Sequence, residues 1–111
     1  MTINEYQELA MTTLNPKLSK KEVLINSVMG LCGESGVAID IVKKWMAQGH
    51  ELDKEHLARE LGDIAWYLAE AATALGLSLE EVLQANIDKL KKRYPEGFES
   101  QKSITRLEWD L

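Results

Sequence analysis

This chain has few means of cross-linking itself and no excess of positive charge. One cysteine, Cys32, among 111 residues rules out an intrachain disulfide and fits a reducing compartment. Cys32 falls inside a helical apolar pattern and reads as a core filler. The formal net charge of -5 argues against a duplex DNA binder, which normally displays a basic face to displace counterions, so no nucleic-acid polymer is expected as a partner. The N-terminal stretch MTINEYQELA lacks both the basic start and the apolar run of a signal peptide. No segment is expected to approach the length of a membrane span, which places the chain in the cytoplasm with no membrane partner. An alternating strand pattern of useful length, an internal repeat and a low-complexity segment are all lacking too.

What is present is a set of legible helix starts. A capping oxygen followed three positions later by Glu satisfies two backbone donors reciprocally, and Thr2/Glu5, Ser19/Glu22 and Ser78/Glu81 all fit that pattern. Asp53 supplies a fourth cap without the reciprocal Glu, since His56 stands at the third position. The spacing predicts four helices, over Ile3–Leu14, Lys20–Gln48, Lys54–Leu75 and Leu79–Arg93, with Pro16, Gly49 and Gly76 in the gaps. The size fits one domain of all-α class. Gly30, Gly33 and Gly36 inside the second helix each cost roughly 1 kcal/mol relative to Ala. Either a close approach of another helix or a ligand offsets that cost, or the helix kinks near Gly33.

Carboxylates stand on the apolar faces of the two central helices. On a wheel of about 100° per residue, Glu34 shares a stripe with Val23, Leu31, Val37, Ala38, Ile41 and Trp45. In the third helix Glu60 and Asp63 share a stripe with Leu57, Ile64, Tyr67, Ala71 and Leu75. An isolated buried carboxylate must neutralise itself or find a cation. Two acids at i and i+3, facing a third from a neighbouring helix, suit a hard divalent ion held through oxygen ligands and water, Mg²⁺ above all. The plainer alternative pairs these acids with Lys or Arg at the rim. No Cys/His cluster of zinc-like spacing competes, and His50 and His56 read as rim or capping residues.

In the fourth helix Asn86, Lys89 and Arg93 fall at i, i+3 and i+7 in a stripe with Leu79, Val82, Leu83 and Leu90. Such a row can grip phosphate oxygens, or it can snorkel with its stems over apolar surface. Trp45 offers a stacking surface for a base, or is a plain core or interface tryptophan. Lys43 and Lys44 offer further phosphate contacts or a solvated face. Val28, Cys32, Ile39, Val42 and Met46 form a second apolar side of the second helix, more than one small domain readily covers, which points to a homo-oligomer.

With these residues in view, the chain resembles the MazG-like nucleoside triphosphate pyrophosphohydrolases, an all-α family with a Glu-x-x-Glu element followed by Glu-x-x-Asp. Gly33-Glu34-Ser35-Gly36-Val37 matches the first element at Glu34, and Arg59-Glu60-Leu61-Gly62-Asp63-Ile64-Ala65-Trp66-Tyr67 matches the second in full. The likeness extends from Asn4-Glu5-Tyr6-Gln7 through Asp40-Ile41-Val42-Lys43-Lys44 and Gln48-Gly49-His50 to the stretch from Asn86 to Phe98. It implies a four-helix-bundle type of all-α NTP pyrophosphatase fold over residues 1–98, completed by oligomerisation as a homodimer or homotetramer, with 99–111 as an arm or tail. Val37 stands where the family pattern has its second glutamate, and Asp40, about 120° around the wheel from Glu34, is an awkward substitute.

The resemblance implies Mg²⁺-dependent hydrolysis of a nucleoside triphosphate to the monophosphate and pyrophosphate. Glu34, Glu60 and Asp63 would be both metal-binding and catalytic, and Asn86, Lys89, Arg93 and Trp45 would bind substrate. Two readings compete with it: a nucleotide-binding or regulatory helical protein impaired by Val37, and a structural oligomerisation module.

Overall fold

A computed structural model describes residues 1–106. It consists of α1 (Ile3–Met11), α2 (Lys20–Ala47), α3 (Lys54–Ala74), α4 (Leu79–Arg93) and α5 (Ser100–Ile104), with no strand among the described residues. The fold is all-α, and four helices start where the caps place them. Thr2 and Ser19 each form the reciprocal box with Glu5 and Glu22, and Asp53 Oδ1 accepts from the His56 N–H at 3.0 Å. Helix α1 ends at Met11 rather than Leu14. The hydroxyls of Thr12 and Thr13 turn back to the carbonyls of Leu9 and Ala10 at 2.6 and 2.7 Å, ahead of Pro16. Helix α3 ends in a Schellman turn, in which Leu77 N–H donates to the Ala72 carbonyl and Gly76, at φ 72°, supplies the left-handed residue.

The chain divides into a unit of residues Met1–Leu79 and a second unit beginning at Glu80. In the first, α2 and α3 form an antiparallel pair joined by a short loop, and residues match across it in opposite order. Asn26 meets Glu70, Gly30 meets Tyr67, and Glu34 meets Glu60 and Asp63. Helix α2 runs without a break through its three glycines. At Gly30 the Tyr67 ring occupies the space a Cβ would take, whereas nothing approaches Gly33 or Gly36 within 4 Å. Close approach therefore accounts for Gly30, and the helix is not broken at Gly33.

Helix α1 packs on the far end of α3. Ala10, Ala69, Ala72 and Leu79 form a buried cluster, flanked by Tyr6, Met11 and Trp66. Polar side chains tie this end shut. The Gln7 amide donates to Thr73 Oγ1 and the Leu77 carbonyl and accepts from the Leu79 N–H, while the Trp66 indole N–H points at the Ala10 carbonyl and Thr13 Oγ1. In the second unit the rest of α4 leads into a turn at Pro95–Gly97, where the Tyr94 and Phe98 rings lie 5.4 Å apart. The short helix α5 falls within the expected tail, and residues 107–111 of that tail lie outside the described residues.

Two expectations are corrected. Cys32 is exposed rather than a core filler. It belongs to the second apolar side of α2, with Val28, Ile39 and Met46, and these too are exposed in the single chain. A segment of membrane-span length does exist, because the 28-residue α2 is long and apolar enough by length and composition alone. From Val23 to Val42 its only charges are Glu34 and Asp40, and two apolar sides raise its hydropathy above that of a one-sided surface helix. Glu34 nevertheless sits mid-helix against two further acids, a costly arrangement in hydrocarbon.

Candidate metal centre

The antiparallel register sets the site. Glu34 stands halfway along α2, and Glu60 and Asp63 stand one turn apart in the first half of α3, so both face it across the helix pair. One carboxylate oxygen from each lies within 4.8 Å of the others. Three of the residues singled out in the sequence therefore converge, and the oxygens are of the hard type that Mg²⁺ prefers.

Their environments differ. Glu60 is 9% exposed; its Oε1 lies 3.3 Å from His56 Nε2, and its Oε2 is buried with no hydrogen-bond partner. Such an orphaned acceptor is unfavourable by about 1–3 kcal/mol, more when it carries charge. The Glu34 carboxyl is held above the usual carboxylate range, first because it abuts that of Glu60 within hydrogen-bond reach, then through desolvation and the like charges of Glu60 and Asp63. Adjacent acids of this kind need a shared proton or a cation between them, and the donor set fits a divalent cation.

A cleft of about 360 Å³ opens beside the cluster, lined by Glu34, Asp63, Trp66 and Tyr67. The two rings meet edge to face with centroids 5.1 Å apart, and Trp66 is fixed in place by the bonds of its indole N–H. The aromatic wall nearest the acids is thus made by α3. Trp45, the expected base-stacking residue, lies three turns along α2 from Glu34, about 16 Å by helix rise, and is 51% exposed. Tyr67 is placed by the sequence only in the apolar stripe of the third helix; its spacing of four from Asp63 on the same face was the signal that could have marked it as a cleft residue.

His56 is the residue that sequence reasoning undervalued. Its backbone N–H is capped by Asp53, as expected, but its ring turns toward Glu60 one turn on. The i, i+4 spacing of His56 and Glu60 carried that signal. Val37, where the family pattern has glutamate, lines a second cleft of about 230 Å³ together with Asp40, His50 and His56. Asp40 does not make good the missing carboxylate, because Lys44 and Lys43 hold it at 2.9 and 3.1 Å. Those lysines, Lys44 first, pull its carboxyl below the usual range. Asn86, Lys89 and Arg93 lie along α4 in the second unit, and the Arg93 guanidinium sits 5.9 Å from the Tyr94 ring centroid.

Comparison with known proteins places these features. The family model described as the MazG nucleotide pyrophosphohydrolase domain matches residues 23–98, which include the three acids, His56 and both cleft aromatics. The chain is also 37% identical over 73 residues to the Gene 37 protein of Mycobacterium phage L5, an alignment covering 62% of this chain and 64% of that protein. The chain thus spans less than two thirds of that relative's length. No solved structure matches it.

Proposed function

Because the chain belongs to the MazG nucleotide pyrophosphohydrolase family, we propose that it hydrolyses a nucleoside triphosphate to the monophosphate and pyrophosphate, using Mg²⁺ held by Glu34, Glu60 and Asp63. One observation carries the reading: three carboxylates from two helices crowd together, and one of their oxygens is buried without a partner. A structural cluster of that composition would be repulsive, whereas a divalent cation turns the repulsion into binding energy. When bound, Mg²⁺ supplies charge neutralisation at the phosphate oxygens and favours ionisation of a nearby water.

The chain's own residues do the rest. Glu34, Glu60 and Asp63 hold the cation, and whichever carboxylate is least engaged accepts the proton of the attacking water. Lys89 and Arg93 are assigned to phosphate oxygens as cations and Asn86 as a hydrogen-bond donor. Trp66 and Tyr67 give the cleft beside the acids an aromatic, partly apolar lining against which a base can pack, with Trp45 as a further stacking surface. The setting is cytoplasmic, and the assembly is a homodimer or homotetramer. The second apolar side of α2 supports the assembly, since Val28, Ile39 and Met46 are 51, 63 and 75% exposed in the single chain. Light scattering on the purified protein gives the stoichiometry.

A second reading has its own observation. With Val37 in the place of a glutamate and Asp40 tied to its lysines, the site has one carboxylate fewer than the family pattern. The protein then binds nucleotide but turns it over poorly. Pyrophosphate release from a full set of nucleoside triphosphates with Mg²⁺, compared between the native chain and Val37→Glu, separates the two. Release by the native chain, lost in Glu60→Gln, supports the hydrolase. Release only by Val37→Glu supports the binding protein, and neither metal nor nucleotide binding in either chain leaves a structural module.

A further inference from the structure

We infer that His56 is the positioning residue for Glu60: its Nε2 engages one carboxylate oxygen and thereby leaves the other presented to the cation. The inference rests on the metal-centre reading above and deepens it. Glu60 is nine-tenths buried, so its orientation is decided by protein neighbours rather than by water. His56 Nε2 lies 3.3 Å from Oε1, while Oε2 has no hydrogen-bond partner. The contact needs only an imidazole that carries a proton on Nε2, and an N–H there cannot serve as a metal ligand. His56 also stands outside the cluster of three converging carboxylates, and so acts through Glu60.

The imidazole is itself located by the fold. Asp53 caps the His56 backbone N–H at 3.0 Å, which fixes the first turn of α3 and sets the ring one turn before Glu60. The other acids that line the His56 cleft compete weakly for it. Asp40 is taken by Lys43 and Lys44, Asp53 spends Oδ1 on the cap, and Glu51 is exposed to water. Position 37 shares the cleft and is valine, so it offers no acceptor. A glutamate there would bring a further carboxylate to the same cleft and draw the imidazole away from Glu60. The departure at Val37 and the His56–Glu60 contact thus belong to one neighbourhood, in which position 37 offers no side chain to compete for the imidazole.

The test measures Mn²⁺ binding to the purified full chain by electron paramagnetic resonance, with circular dichroism melts of each protein without metal. His56→Ala is expected to weaken Mn²⁺ binding about 10–100-fold, the range for loss of an outer-shell partner. His56→Gln, whose side-chain amide can still donate to Glu60, is expected to recover most of that loss. Recovery by Gln is a signature that loss of packing alone would not give, and it holds the test open should the alanine variant fold poorly. Native-like Mn²⁺ affinity in a folded His56→Ala, or no recovery in a folded His56→Gln, overturns the role of His56 and leaves the metal centre standing. A native chain that binds no Mn²⁺ overturns both.

Discussion

Helix α3 buries two glutamates, and the molecule treats them in opposite ways. Glu70 is fully buried, and both its oxygens lie at hydrogen-bond distance from the Asn26 amide nitrogen, 3.0 and 2.9 Å. Glu60 is nearly as buried, but it faces an imidazole with one oxygen and nothing with the other, and two more carboxylates stand within reach. Burial of a carboxylate therefore does not by itself mark a site. The mark is burial combined with accumulated like charge and a missing partner. At Glu70 the fold has supplied the donor; at Glu60 it has left a place for a cation.

The largest effect expected from breaking this contrast is at Glu60. Glu60→Gln should weaken Mn²⁺ binding by on the order of 10²-fold or more, since loss of a ligand exceeds the 10–100-fold typical of an outer partner. Without metal the same variant should be as stable as the native chain or more so by about 1 kcal/mol, because the new amide can donate to Glu34 and one negative charge is gone. Glu70→Ala should behave in reverse. It strands the Asn26 amide and opens a hole in the helix pair, costing about 2–3 kcal/mol in urea unfolding, while Mn²⁺ affinity stays within about twofold of native. If Glu60→Gln proved the more destabilising of the two in the metal-free protein, the contrast would be wrong.

The next effect in size contrasts two glycines of α2. Gly30→Ala places a methyl group where the Tyr67 ring lies, and should cost about 1–3 kcal/mol through overpacking, disturbing the cleft wall as well. Gly33→Ala meets nothing within 4 Å in the single chain and should stabilise the helix by about 1 kcal/mol. Thermal melts of the two variants read both signs. A destabilised Gly33→Ala would mean that another chain approaches α2 at that turn.

Local chemistry made the helices legible, and pair geometry hid much of the rest. Thr2, Ser19 and Asp53 announced three helix starts because capping acts over three residues of sequence. The convergence of Glu34, Glu60 and Asp63 was readable because all sit on apolar stripes of neighbouring helices. Asn26 and Glu70 were not picked out, since their match depends on the register between α2 and α3, which no single helix encodes. Cys32 was misread for a related reason: an apolar stripe says that a face seeks cover, not that the same chain provides it. Helix α5 was missed because a turn and a half with a single apolar residue leaves little periodicity to read.

The smallest effect sharpens the contrast through pH. Because the Glu34 carboxyl is held above its ordinary range, in the metal-free protein the folded state keeps this proton at pH values where the unfolded chain has released it. The associated stability is fully present below the ordinary glutamate value and is lost as pH rises through the raised one. Glu22 and Asp40 act with the opposite sign. The Ser19 cap lowers Glu22, Lys44 and Lys43 lower Asp40, and their contributions are present above the ordinary carboxylate values and fade as the medium becomes more acidic. Urea midpoints measured from about pH 4 to 8 without metal should therefore show a decline on the upper side that Glu34→Gln removes. Added Mg²⁺ should also remove it, because cation and proton compete for the same oxygens and the cation prevails as pH rises. A decline that survives both changes would locate the crowded carboxyl elsewhere than between Glu34 and Glu60.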